Sequence, residues 1–91
     1  MINRILIVGF GSIGKRHLDL ARALHPLAEI AILRHQGHST IPEGADHVFS
    51  NMSEALVFAP KLAVISNPAT FHLSSAIPLA EAGVHLFIEK P

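Results

Sequence analysis

Four short apolar runs divide the chain: Ile5-Leu6-Ile7-Val8, Ile30-Ala31-Ile32-Leu33, Leu62-Ala63-Val64-Ile65, and Val84 to Ile88 with only His85 breaking it. None alternates cleanly with polar residues. A strand that is apolar on both faces needs cover on both, which predicts a parallel sheet held between layers of helix. His47-Val48-Phe49 predicts one more strand, shorter and weaker than the others.

Between the runs the period changes to that of a helix. Ile13, Leu20, Ala21 and Leu24 recur at helical spacing, with Lys15, Arg16, Asp19 and Arg22 left mostly for solvent. This helix should stop near His25, because Pro26 has no N–H to donate and disfavours a helical residue before it. Glu29 then opens the second strand. A shorter helix is expected over 52–58, with Asn51 as its N-cap and Pro60 closing it. A last helix is expected from near Thr70 to Gly83, where the glycine supplies the left-handed residue after a helix end. Pro78 lies inside that helix and predicts a bend rather than a break. The segment from His35 to Asp46, rich in Gly, His, Ser and Pro, reads as a loop.

The order strand, helix, strand, strand, helix, strand, helix, strand is that of a doubly wound α/β (Rossmann) parallel sheet, with right-handed crossovers and strand order 3-2-1-4-5. A length of 91 residues with 49% hydrophobic content sets a ceiling of one domain, spanning 1–91. The six-stranded form of the fold needs a strand beyond the fifth, so the sheet is expected to be incomplete at its C-terminal edge.

Composition narrows the chemistry. No apolar stretch exceeds five residues, against roughly 20 for a membrane-crossing helix. The first apolar run leads into Gly9 and Gly11 without a small-residue cleavage site, which argues against a signal peptide and for a soluble, cytoplasmic protein. Seven basic residues cancel seven acidic ones, leaving no broad positive field for a nucleic acid. The absence of cysteine excludes disulfides, thiolate zinc sites and thiol nucleophiles. His35 and His38 lack a third ligand of suitable spacing, so no metal is expected. Lys15, Arg16 and His17 point in different directions on a helix and read mainly as a solvated face, with His17 the candidate to turn inward.

Gly9-Phe10-Gly11-Ser12-Ile13-Gly14 is a GxGxxG sequence between the first buried strand and the first helix. Gly9 suits a tight turn, Gly11 lets the backbone approach a pyrophosphate, and Gly14 allows the helix to pack closely on the strand. The helix start then offers free N–H groups, with Ser12 and Ile13 as donors, and the positive end of its dipole. A glycine-rich turn that merely packs, or a Rossmann-like fold for another nucleotide such as S-adenosylmethionine, is the competing reading; the strand-then-helix context favours the pyrophosphate. About 20 residues past the glycines, where NAD enzymes place an acid for the ribose hydroxyls, this chain has Arg34. A guanidinium suits a 2′-phosphate, so NADP is expected over NAD; alternatively Arg34 stacks on adenine or is simply solvated.

Two further segments, Val64-Ile65-Ser66-Asn67-Pro68-Ala69-Thr70-Phe71-His72 and Ala82-Gly83-Val84-His85-Leu86-Phe87-Ile88-Glu89-Lys90-Pro91, together with the opening glycine motif, resemble the glucose-fructose oxidoreductase, inositol dehydrogenase and MocA family of NAD(P)-dependent dehydrogenases. The resemblance covers nearly the whole chain, and Glu89-Lys90-Pro91 after an apolar strand is its most specific part. It implies that Ser66, Asn67 and Pro68 lie against the cofactor. It also matches His72 to the histidine that opens the next helix, where a capping or packing role is equally open. Lys90 matches the lysine beside the nicotinamide that hydrogen-bonds the substrate hydroxyl, and Glu89 the acid before it. Independently of the resemblance, Lys90 follows the fifth strand at the carboxyl ends of a parallel sheet, where such folds form their ligand crevice.

The resemblance further implies hydride transfer on a sugar, cyclitol or related substrate. Family members continue into a second domain that supplies other catalytic residues, so 91 residues alone are expected to bind dinucleotide weakly and not to turn over. The edge left open at the fifth strand predicts self-association. The rival function is a non-catalytic dinucleotide-sensing or interaction module; a methyltransferase is more distant, since Glu89-Lys90-Pro91 has no role in one.

Overall fold

The computed structural model describes residues 2–34, 40–67 and 71–89. Along the chain these form β1 (Arg4–Val8), α1 (Ser12–Leu24), β2 (Glu29–Leu33), β3 (His47–Phe49), α2 (Met52–Phe58), β4 (Leu62–Ile65), α3 (His72–Glu81) and β5 (His85–Ile88). All five strands pair in parallel in the order β3-β2-β1-β4-β5. This is the doubly wound Rossmann-like sheet that the apolar runs predict, including the weak strand at His47–Phe49.

The uninterrupted apolar runs are explained by cover on both sides of the sheet. Ile5 and Ile7 of β1, with Ile30 and Ile32 of β2 and Val64 of β4, face α1 and its Leu18. Leu6, Val8, Ala31, Leu33, Ala63 and Ile65 face the opposite way, toward Ala55 of α2 and Leu79 of α3. Ile5 to Val8 have no exposed surface, and burying each such side chain stabilises the fold by about 1.5–3 kcal/mol.

The helix ends follow local chemistry. Asn51 caps α2, its side-chain oxygen accepting from the Glu54 N–H at 2.9 Å, while the Glu54 carboxylate returns a bond to the Ser50 N–H. At the end of α3, Gly83 adopts φ +83°; its N–H donates to Ala80 and that of Val84 to Leu79, the paired bonds of a Schellman motif. Helix α3 runs through Pro78 without a break. The expected start of α3 at Thr70, and the loop histidines His35 and His38, lie outside the described residues.

Helix α1 departs from expectation in its rotation. Its buried residues are Gly14 and Leu18, whereas Leu20 is 52% and Leu24 73% exposed. The close approach at Gly14 sets which face meets the sheet, and the apolar positions that periodicity picked out fall to one side. There Leu20, Leu24, Leu62 and Phe87 line an open groove of about 340 Å³ above β4 and β5. Arg22 is not a solvated residue either. Its guanidinium donates to the carbonyls of Gly44, Pro26 and Ala28 and to the Asp46 carboxylate at 2.8–3.0 Å, tying the end of α1 to the start of β2.

Candidate dinucleotide-binding site

The connection from β1 leads to β2 on one side and the connection from β4 leads to β5 on the other, so the carboxyl ends of β1 and β4 flank the switch point of the sheet. The glycine motif stands there. Gly9 leaves β1 with φ +87°, and an added Cβ would lie 2.8 Å from the backbone N and Cα of Asn67, the second residue after β4. The two segments therefore touch, and only a residue without a Cβ fits between them. Gly14 brings α1 against this turn, since a Cβ there would stand 2.4 Å from the Gly9 carbonyl oxygen. Gly11 differs from both: a Cβ would meet nothing within 4 Å among the described residues. Its backbone faces open space.

Gly11 is also the N-cap of α1, with no side-chain cap and no acidic residue in the first turn. The first helical bond runs from the Lys15 N–H to the Gly11 carbonyl, which leaves the N–H groups of Ser12, Ile13 and Gly14 outside the helix ladder. Helix α2, in contrast, satisfies its start with Asn51. An uncapped helix start behind a glycine turn offers N–H donors and a positive dipole end, an arrangement that can receive an anion.

Side chains from β4, α3 and the β5 end brace this corner. The Ser66 hydroxyl points toward the carbonyls of Val8 and Gly9, 2.9 and 3.1 Å away, and holds the turn from the β4 side. Asn67 is buried; its amide donates to the Ser75 hydroxyl at 3.0 Å, and its Oδ1 has no partner among the described residues. The His72 Nε2–H donates to the Asn67 carbonyl at 2.7 Å, joining the first turn of α3 to the β4 end. Arg34, one residue past β2, places its guanidinium 5.3 Å from the centre of the Phe10 ring, a cation–π distance. Glu89, one residue past β5, meets His17 of α1 at 2.6 Å.

Thus Gly9, Phe10, Gly11, Ser12, Ile13, Gly14, Arg34, Ser66, Asn67, His72 and Glu89 all lie at the carboxyl end of the sheet. Pro68 and Lys90 are outside the described residues. The sequence reading had His17 only as a helix residue turned inward; its partnership with Glu89, 72 residues away, left no local signal. Among the described residues no cluster of three or more metal-binding side chains occurs, and no helix is long and apolar enough to cross a membrane.

A parallel α/β sheet with a glycine turn and an uncapped helix at its switch point defines a Rossmann domain of the dinucleotide-binding kind. The chain belongs to the Gfo/Idh/MocA oxidoreductase family, whose NAD-binding Rossmann-fold model matches residues 3–91. It is 30% identical over 93 residues to 4-carboxy-2-hydroxymuconate-6-semialdehyde dehydrogenase of Sphingobium sp. (strain NBRC 103272 / SYK-6), covering 97% of this chain and 30% of that enzyme. Among solved structures it is similar to the WlbA dehydrogenase of Bordetella pertussis in complex with NADH and UDP-GlcNAcA, with a TM-score of 0.78 and 28% identity over 100% of this chain and 30% of that one. It is also similar to the UDP-N-acetylglucosamine 3-dehydrogenase GnnA of Acidithiobacillus ferrooxidans, with a TM-score of 0.74 and 27% identity over 100% of this chain and 31% of that one. The chain therefore spans about a third of the length of these relatives.

Proposed function

We propose that this chain binds a nicotinamide dinucleotide across the carboxyl ends of β1 and β4. In this reading it is the cofactor half of a dehydrogenase acting on a hydroxyl or carbonyl carbon of a sugar, cyclitol or related substrate. The observation that carries the reading is the start of α1 behind the glycine turn, which has no side-chain cap and, among the described residues, no atom within 4 Å of where a Gly11 side chain would stand. The relatives add weight, since one is described with NADH and a UDP-sugar acid and the others are dehydrogenases.

When bound, the nicotinamide supplies the hydride chemistry. The chain's own part is to hold and orient it. The N–H groups of Ser12, Ile13 and Gly14 would hold the pyrophosphate, and the lack of a side chain at Gly11 would let it approach the backbone. Ser66 keeps the turn in shape, while Asn67 and His72 form the β4 side of the cleft, where the Asn67 Oδ1 is an acceptor with no protein donor among the described residues; Pro68, outside the described residues, is assigned a cofactor contact by the family resemblance alone. Phe10 and Arg34 border the end of β2, where the adenosine half belongs. Because Arg34 stands where NAD enzymes carry an acid, we assign a preference for NADP. Glu89 and Lys90 follow β5, and we give Lys90 the substrate side, where its ammonium donates to the reacting oxygen and stabilises developing negative charge.

Titration of NADH and NADPH into the chain, followed by quenching or enhancement of nicotinamide fluorescence, tests this reading. Saturable binding of either supports it, and tighter binding of NADPH supports the assignment of Arg34. Tighter NADH binding overturns that assignment alone, whereas indifference to both cofactors overturns the whole.

A further inference from the structure

Helix α1 and the segment after β5 are far apart in the fold. Within the sheet β4 separates β1 from β5, and α1 packs mainly over β1 and β2 through Gly14 and Leu18. Yet one side chain of α1 crosses that interval. The His17 Nε2–H donates to Glu89 Oε2 at 2.6 Å, and the His17 ring leans on Phe87 of β5 with centroids 5.6 Å apart. The His17 side chain is 18% exposed and that of Glu89 34%, so the bond is sheltered enough to hold its geometry. Among the described residues the rest of the hydrogen-bonded anchoring of Glu89 is a single backbone bond, its N–H donating to Ile65 of β4.

The positions of these two residues give the bond its meaning. His17 sits one turn beyond Gly14, on the helix whose start faces the open space at Gly11. Glu89 is the first residue past β5 and directly precedes Lys90 in the chain. We propose that His17 is a positioning residue: by fixing the Glu89 carboxylate it registers the end of β5 against the phosphate-facing end of α1, so that a dinucleotide is met from both sides across a set span. This rests on the dinucleotide reading given above. Neither residue is asked to touch the reacting atoms. Their contribution is preorganisation, since a segment already held in place need not be ordered when the ligand arrives.

Two variants separate the hydrogen bond from the packing. In His17→Phe a ring still covers Phe87 but the donor is gone; in His17→Gln an amide N–H is restored near the place of Nε2. NADH is titrated into the wild-type chain and both variants by ¹⁵N–¹H correlation spectra, with urea midpoints confirming that each is folded. Loss of one charge-assisted bond, converted at 1.4 kcal/mol per factor of ten, predicts about tenfold weaker NADH binding by His17→Phe, and recovery to within roughly threefold of wild type by His17→Gln. The ring ¹⁵N shifts should show the proton on Nε2 in the wild type and lose that bias in Glu89→Leu, whose side chain has no acceptor. Equal NADH affinity of wild type and His17→Phe overturns the positioning role while leaving the dinucleotide site standing. A wild-type chain that binds neither NADH nor NADPH removes both. A folded His17→Gln that binds as poorly as His17→Phe, with no tautomer bias in the wild type, also contradicts the proposal.

Discussion

Replacing Gly9 by alanine places a methyl group where the fold has no room for one. The residue holds φ +87°, a conformation that costs an L-residue roughly 1–2 kcal/mol. The new Cβ would stand 2.8 Å from Asn67 N and Cα. Both are backbone atoms, and Asn67 is held by bonds to Ser75 and His72, so the neighbour cannot swing aside as a flexible side chain would. Overpacking of this kind costs about 1–3 kcal/mol. Against this, alanine restricts the unfolded chain and returns about 0.4–1 kcal/mol. Gly9→Ala should therefore destabilise the domain by roughly 2–4 kcal/mol, a large share of the stability of a small domain. Urea unfolding followed by far-ultraviolet circular dichroism measures the difference directly. A midpoint within error of wild type would mean that the β1 turn and the β4 end do not meet as described.

Other consequences are equally open to measurement. Ala59 closes α2 with φ +55°, so Ala59→Gly should relieve left-handed strain and raise stability by about 0.5 kcal/mol once the greater freedom of the unfolded glycine is subtracted, a rare gain from a glycine visible as a higher urea midpoint. Burial tends to raise the Asp46 carboxyl, but the Ile30 N–H and the hydrogen bond and charge of Arg22, with some help from His47, outweigh it and hold the pKa below the ordinary carboxylate value. A depressed folded pKa stabilises above the unfolded value and is lost as pH falls through the folded one, so stability should decline below about pH 4, and less steeply in Asp46→Asn. The outer edge of β5 pairs with no strand among the described residues, and Phe87 and Ile88 are 53% and 46% exposed; the 91-residue chain should self-associate, and a monomeric sedimentation profile at high concentration would contradict this.

Much of this fold was legible because its strands are buried on both faces. Continuous apolar runs such as Ile5 to Val8 mark a parallel sheet without an alignment, and turn chemistry at Asn51, Pro26 and Gly83 places the helix ends. The rotation of α1 was not legible. Periodicity selected Leu20 and Leu24, but contact between Gly14 and the Gly9 carbonyl turned Leu18 toward the sheet instead, and a glycine carries no weight on a hydrophobicity pattern. Arg22 was misread for a related reason: its partners Gly44 and Asp46 lie 22 and 24 residues away, so only the folded chain shows that its charge is structural. At the candidate site the glycines carried their own signal through spacing and context. Two of the braces did not, because the Ser66 and His17 bonds join segments that only the tertiary fold brings together.

If the glycine turn presents the start of α1 to a diphosphate, a methyl group at Gly11 should stand in the way of that ligand and of nothing else among the described residues. At this position φ −88° and ψ −158° suit any residue and the added methyl meets no atom of the described residues, so the small loss of N-cap preference and the gain from a stiffer unfolded chain should leave stability within about 0.5 kcal/mol of wild type. Backbone amide spectra recorded during NADH titration of the wild type should shift most at residues 11–15, and the same titration of the folded Gly11→Ala variant should leave those amides unmoved. Equal shifts in both proteins, or wild-type shifts confined to other parts of the chain, would contradict that presentation.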